Sequence, residues 1–204
     1  NRLAVAMIVN RKHGFDQAAP LYEQAIAPLA AKASTTREHL DLLTYRLYRA
    51  MMMWVTDPEQ AIAEYEAIAA AFDELELPSY PELTIVLMDL GTAYRQVGRP
   101  RLAIATFERA LRIFDEASGV PAWRRIPFIV GLARAHRAAG DRAETERVLR
   151  QALELSITCW GVQHSETRMV ASYLGDEYRE TGRGDDLAAL ERRVPPLAPS
   201  PAPH

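Results

Sequence analysis

The residue types that most often carry chemistry are sparse and scattered along this chain. Five histidines stand at His13, His39, His136, His164 and His204, and no two are spaced i, i+4 to aim a pair of imidazoles at one metal. The single cysteine, Cys159, excludes an internal disulfide and a multi-cysteine zinc site. Every glycine is explained by a turn or a close helix contact, so no phosphate-cradling loop appears. Ser118 and Ser165 lack the strand–turn–helix setting of an activated nucleophile. Carboxylate pairs such as Asp73-Glu74, Glu144/Glu146 and Asp185-Asp186 suit exposed helix faces or first turns, where acidic groups are favoured. These residues nominate no catalytic group, no metal and no cofactor, and the expectation is a protein that is not an enzyme.

Arginine is the one functional group in abundance. It supplies 22 of the 24 basic residues, Lys12 and Lys32 being the only lysines. A guanidinium fork pairs well with carboxylates and phosphates. A formal net charge of −3 argues against a nucleic-acid ligand, because such modules show a strong basic excess. The preference for arginine, with abundant alanine, points to a high-GC bacterial source. Leu3 to Val9 is the longest apolar run near the start, too short to span a bilayer and followed by no cleavage pattern. A cytoplasmic protein is therefore expected. The chain opens on Asn1 and is read as a fragment or processed product of something longer.

What would position these arginines is a repeat. Gly98, Gly140 and Gly182 recur every 42 residues, and Gly119-Val120 recurs at Gly161-Val162. Leu90, Leu132 and Leu174 keep the same step, as do Tyr94, His136 and Tyr178, and Gly91, Ala133 and Gly175. A further column runs Tyr22, Tyr65, Phe107, Leu149. His136 stands where tyrosine otherwise does, so packing accounts for it. Within a unit, Leu87, Leu90, Gly91 and Tyr94 share one helical face. Gly98 then suits a helix C-terminus, and Pro100 the first turn of the next helix. Small residues at Gly91 and Ala103 would let the two helices approach closely.

Leu87-x-x-Leu90-Gly91-x-x-Tyr94, followed by Ala103, Phe107 and Ala110, resembles the tetratricopeptide repeat signature, with Leu87 where the usual tryptophan stands. That repeat has a period of about 34 residues, so the 42-residue step resembles its longer, kinesin-light-chain-like form. Phrases such as Ala19-Pro20-Leu21-Tyr22-Glu23-Gln24-Ala25 and Gly161-Val162-Gln163-His164 are similar to that form too. The resemblance implies an all-α, right-handed superhelical solenoid of antiparallel helix pairs. About five units are expected, over 1–36, 37–79, 80–121, 122–163 and 164–194, followed by a proline-rich, disordered tail over 195–204. In the last unit Glu191 replaces the aromatic, as suits a terminal repeat.

The resemblance also implies that the first helix of each pair lines a concave surface on which partners lie. Its groove positions would be Arg46, Met53 and Trp54, then Met88, Arg95 and Gln96, then Arg134 and Arg137, and last Arg179. The column of Arg95, Arg137 and Arg179 would as readily pair with a neighbouring carboxylate or stay solvated. Such a groove suits a protein or peptide partner that is acidic with one or two hydrophobic anchors. The chaperone-tail clamp of this family needs lysines and asparagines, whereas the equivalent positions here read Ala50, Thr92, Arg134 and Asp176. The expectation is an interaction scaffold, the binding or regulatory module of a larger bacterial protein. Its alternative is a ligand- or peptide-sensing domain that changes superhelix curvature. Nucleic acid and membrane are not expected partners, and a second copy could cover the incomplete first unit.

Overall fold

The computed structural model describes residues 15–77 and 81–195. The front of the expected first unit, with Leu3–Val9 and His13, and the tail beyond Pro195, with His204, lie outside the described residues. Nine α-helices and one short 3-10 helix account for the regular structure among those residues, with no strand. They are α1 (Phe15–Ala30), α2 (Thr36–Met53), α3 (Pro58–Glu74), α4 (Glu82–Gln96), α5 (Pro100–Glu116), α6 (Ile126–Ala138), α7 (Arg142–Trp160), α8 (Ser165–Glu180) and α9 (Gly184–Arg193). The 3-10 helix, Ala122–Arg125, joins α5 to α6. No described helix is long and apolar enough to cross a membrane.

Local chemistry sets where these helices start. Thr35 caps α2 through a reciprocal box with Glu38. Hydrogen bonds from the backbone and hydroxyl groups of Ser34 and Thr35 hold the Glu38 carboxyl down at about 2. Asp57 accepts from the Gln60 amide at 3.0 Å ahead of Pro58, the first residue of α3. Asp141 does the same for Glu144 at 3.1 Å. His164 caps α8, its Nδ1 accepting from the Glu166 amide at 3.3 Å, while its ring stacks on Trp160 at 4.8 Å.

Where the first helix of a pair ends, one turn recurs every 42 residues. After α4, the Arg99 amide donates to the Tyr94 carbonyl at 2.8 Å and the Gly98 amide to Arg95 at 3.3 Å. After α6, Asp141 donates to His136 at 3.0 Å and Gly140 to Arg137 at 3.0 Å. After α8, Arg183 donates to Tyr178 at 2.9 Å and Gly182 to Arg179 at 3.2 Å. These are paired 6→1 and 5→2 bonds that require a left-handed residue, and Gly98, Gly140 and Gly182 supply φ values of +77°, +82° and +69°. The same bond pair closes α3, Leu77 to Phe72 and Glu76 to Asp73, but there the left-handed residue is Glu76 at φ +46°.

The helices form two compact units, 1–99 and 100–204. In the first, each of α1 to α4 packs on its sequence neighbour, and α2 also touches α4. Tyr22, Tyr65, Ile68, Phe72, Leu83, Val86 and Leu87 fill its interior. Ala18, Tyr22 and Ile26 of α1 meet Leu42, Tyr45 and Met52 of α2. In the second unit, α5 to α9 pack in sequence order around Phe107, Phe114, Phe128, Ile129, Val148, Leu149, Val170 and Leu174.

The small-residue column works at close quarters in the second unit. Ala133 is fully buried, and a Cβ on Gly175 would lie 3.3 Å from Leu187 of α9. A glycine outside that column is tighter still. A Cβ on Gly131 of α6 would fall 2.5 Å from the ring of Phe107 of α5, so the bare backbone is what lets that ring close onto α6.

Candidate functional site

In the first unit the expected groove residues divide into four fates. Arg46 is already occupied: its Nε lies 2.8 Å from Glu64 of α3, which Arg49 also engages at 2.7 Å. Burial pushes the Glu64 carboxyl up, but the two guanidinium groups outweigh it and hold the carboxyl below its ordinary value. Met53 is 5 % exposed and belongs to the core, so it offers no groove surface. Its burial follows from the α2 periodicity, in which Leu43, Leu47, Ala50 and Met53 form one apolar stripe. Met88 and Arg95 are half-buried on α4.

Trp54 and Gln96, by contrast, come together. With Met51 of α2, Tyr65 of α3, and Asp89 and Thr92 of α4, they line a cavity of about 210 Å³. Asp89 was not singled out from its position in the chain. Its Oδ2 is buried without a hydrogen-bond partner, and burial raises its carboxyl to about 6. Tyr65 is raised well above the usual phenol range, by burial first and by the nearby Asp89 charge second. A sequence signal existed: Asp89 is the one carboxylate inside a helix face otherwise built from Val86 and Ala93, both buried. It also falls on the same repeat position as Gly131 and Tyr173.

In the second unit the arginines separate just as clearly. Arg137 of α6 reaches Glu177 of α8 at 3.1 Å and also pairs with Glu180. Arg142 joins the same two carboxylates at 3.8 and 3.3 Å. Glu177 is 4 % exposed, so these guanidinium groups, from α6 and α7, neutralise a buried charge of α8. Arg179 pairs with Asp176 at 2.6 Å and with Glu191 of α9 at 3.5 Å. The acid that replaced the aromatic of the repeat therefore has an ionic use. Arg134 differs from both. It is exposed, its guanidinium lies over the ring of Tyr173 at 5.8 Å, and it forms no ion pair among the described residues. A second cavity, about 420 Å³, opens between α8 and α9 beside Ser172, Tyr173, Arg179 and Leu190.

No group of three or more histidine, cysteine or carboxylate side chains is arranged to hold a metal ion among the described residues. His136 is mostly buried, with Nδ1 3.9 Å from Asp141, and Cys159 is a half-buried free thiol.

Residues 42–116 match the family model for the tetratricopeptide repeat. None of the curated proteins matches the chain. Among solved structures, the putative kinesin light chain nearly identical TPR-like repeats of Podosopora anserina are similar over 95 % of this chain and 91 % of that one, with a TM-score of 0.77 and 19 % identity. BtubC (BKLC) from P. vanneervenii is similar over 99 % of this chain and 83 % of its own, with a TM-score of 0.79 and 16 % identity. PlcR of Bacillus thuringiensis, solved in complex with the peptide PapR7 and DNA, is similar over 95 % of this chain and 66 % of its own, with a TM-score of 0.58 and 11 % identity. With the 42-residue turns and the alternating helix pairs, these likenesses give the fold class as an all-α, tetratricopeptide-like solenoid. Residues 42–116 therefore carry the tetratricopeptide repeat pattern, and the chain is similar in fold to kinesin-light-chain-like repeats.

Proposed function

We propose that this chain holds a segment of another protein or a peptide, without catalysis, as the binding module of a larger bacterial, cytoplasmic protein. A repeat of helix pairs presents the same helix face again and again, which suits an extended partner better than a compact substrate. The observation that carries this reading is Arg134, exposed, stacked on Tyr173 and committed to no carboxylate among the described residues. A guanidinium so placed keeps its N–H edge for a carboxylate of the partner. Arg46, Arg137 and Arg179 spend theirs within the fold, so among the expected groove positions we assign the acidic contact to Arg134.

The test is a peptide-array or pull-down comparison of the native chain with Arg134→Glu. Binding of acidic peptides should fall about tenfold or more, the scale of one lost charge-assisted contact, with the helical signal unchanged. Undiminished binding would reject this face. Arg137→Glu is unsuitable for the purpose, because it would set a third carboxylate against Glu177 and Glu180. A second reading, a peptide-sensing regulatory domain, is supported by the likeness to PlcR, which was solved with a bound peptide. A change in the distance between two spin or fluorescent labels, one in each compact unit, on peptide binding would favour it over passive holding.

A further inference from the structure

The cavity between α2, α3 and α4 contains an arrangement that packing alone does not require. A carboxylate oxygen buried without a partner is destabilising, yet Asp89 stands there with its Oδ2 enclosed and unpaired. One repeat later the corresponding contact is closed differently. Gly131 takes the position of Asp89, Phe107 takes that of Tyr65, and the ring sits so close that even a methyl group would overlap it. The helix pair can therefore be sealed by an aromatic ring against bare backbone, and in the first unit it is not. What remains is a hollow walled by the indole of Trp54 and the phenol of Tyr65, with a carboxylate at its α4 wall.

Those three groups specify an occupant. An anion is excluded by Asp89. An apolar group would leave the carboxylate unpaired. A cation satisfies the carboxylate by a charge-assisted hydrogen bond and is attracted to the faces of the aromatic rings. Size narrows the choice further. At about 210 Å³ the hollow is below the range of about 300–1,000 Å³ that holds whole small-molecule ligands, and suits one side chain. Met51, 36 % exposed, and the exposed Gln96 place its rim at the protein surface, where an extended segment could reach it.

We propose that this cavity receives the side-chain cation of a basic residue in a bound peptide, with Asp89 accepting from the ammonium or guanidinium group between Trp54 and Tyr65. The proposal rests on the peptide-holding function above and names a chemistry for it that is separate from Arg134. A partner fitting both sites would carry a basic residue at one point and an acidic one at another.

The experiment uses the full chain and three probes at millimolar concentration: Nα-acetyl-lysine N-methylamide, its arginine counterpart and its norleucine counterpart. The readout is the indole N–H signal of Trp54 in a 1H–15N spectrum. One or both basic probes should shift that signal saturably, and which of them binds more tightly distinguishes an ammonium from a guanidinium occupant. The norleucine probe should bind at least about tenfold more weakly, and Asp89→Asn should weaken the basic probes by a similar factor. Equal shifts from norleucine, an undiminished response in Asp89→Asn, or no saturable shift from either basic probe each overturns the proposal. The norleucine comparison is made on the native chain, so it decides the question even if the variant folds poorly. Peptides captured through Arg134 with a silent Trp54 signal would remove the basic pocket and leave the peptide-holding function in place.

Discussion

Asp89 should govern how stability varies with pH. Its carboxyl is raised from 3.8 to about 6 by burial, so the folded state prefers the protonated form. The stability this contributes is fully present below the unfolded value near 4, and is lost as pH rises through 6. A shift of that size corresponds to a difference on the order of 2–3 kcal/mol. Urea midpoints at pH 5 and pH 7.5 should therefore show the native chain weaker at the higher pH. In Asp89→Asn that difference should shrink, and the variant should be the more stable of the two at pH 7.5. Asp89 left a trace in the chain, a carboxylate within an apolar helix face, but its effect was not legible, because the cavity is assembled from Trp54 at the end of α2, Tyr65 of α3 and Asp89 of α4. Arg137 was half legible: its recurrence with Arg95 and Arg179 marked a column, but Glu177 and Glu180 lie about 40 residues further on, and only the folded chain brings them within reach.

Helices and their joints were the most legible layer. The caps Thr35, Asp57 and Asp141 emerge only with the structure, whereas Gly98, Gly140 and Gly182 mark the turns, because the left-handed conformation is a backbone requirement that few residue types can meet. Glu76 shows the limit of that rule, since it adopts the glycine conformation with a side chain attached. Glu76→Gly should raise stability by about 1 kcal/mol, the left-handed penalty less the entropy glycine adds to the unfolded chain. A thermal melt beside the native chain checks it. Helix contacts are testable in the same way. Gly131→Ala forces the Phe107 ring to move and should cost about 1–3 kcal/mol. Gly175→Ala meets only the flexible end of Leu187 at 3.3 Å and should be close to neutral. Similar losses at both sites would show that the α5–α6 contact is less close than described. Gly131 was missed because its neighbours in the repeat register are Asp89 and Tyr173, so no column of small residues announced it.

At the scale of the molecule, cohesion within each unit comes mainly from neighbours in sequence, as a repeat array requires. The second unit should then lose protection from its end. Leu190 is the one buried residue of α9, whereas α6 buries seven, from Ile126 to Ala135. Amide hydrogens of α9 should exchange at least about tenfold faster than those in the middle of α6, measured by mass spectrometry on peptic fragments. Equal protection would mean that the unit opens all at once. The fold class was readable because a period repeats its message, and errors at one position are corrected by the next. A binding face carries no such redundancy. Its specificity lies where repeats differ from one another, as Asp89 differs from Gly131, and those are the positions that an averaged pattern suppresses.

The three matched turns give the chain a set of internal gauges. Gly98, Gly140 and Gly182 share one backbone conformation and one bonding scheme, and a Cβ on any of them would meet no other atom within 4 Å. Alanine placed at each in turn imposes the same local strain with no new contact. Whatever differs among the three variants in melting or exchange then reports how firmly each stretch of the array is held, free of any contribution from the substitution itself.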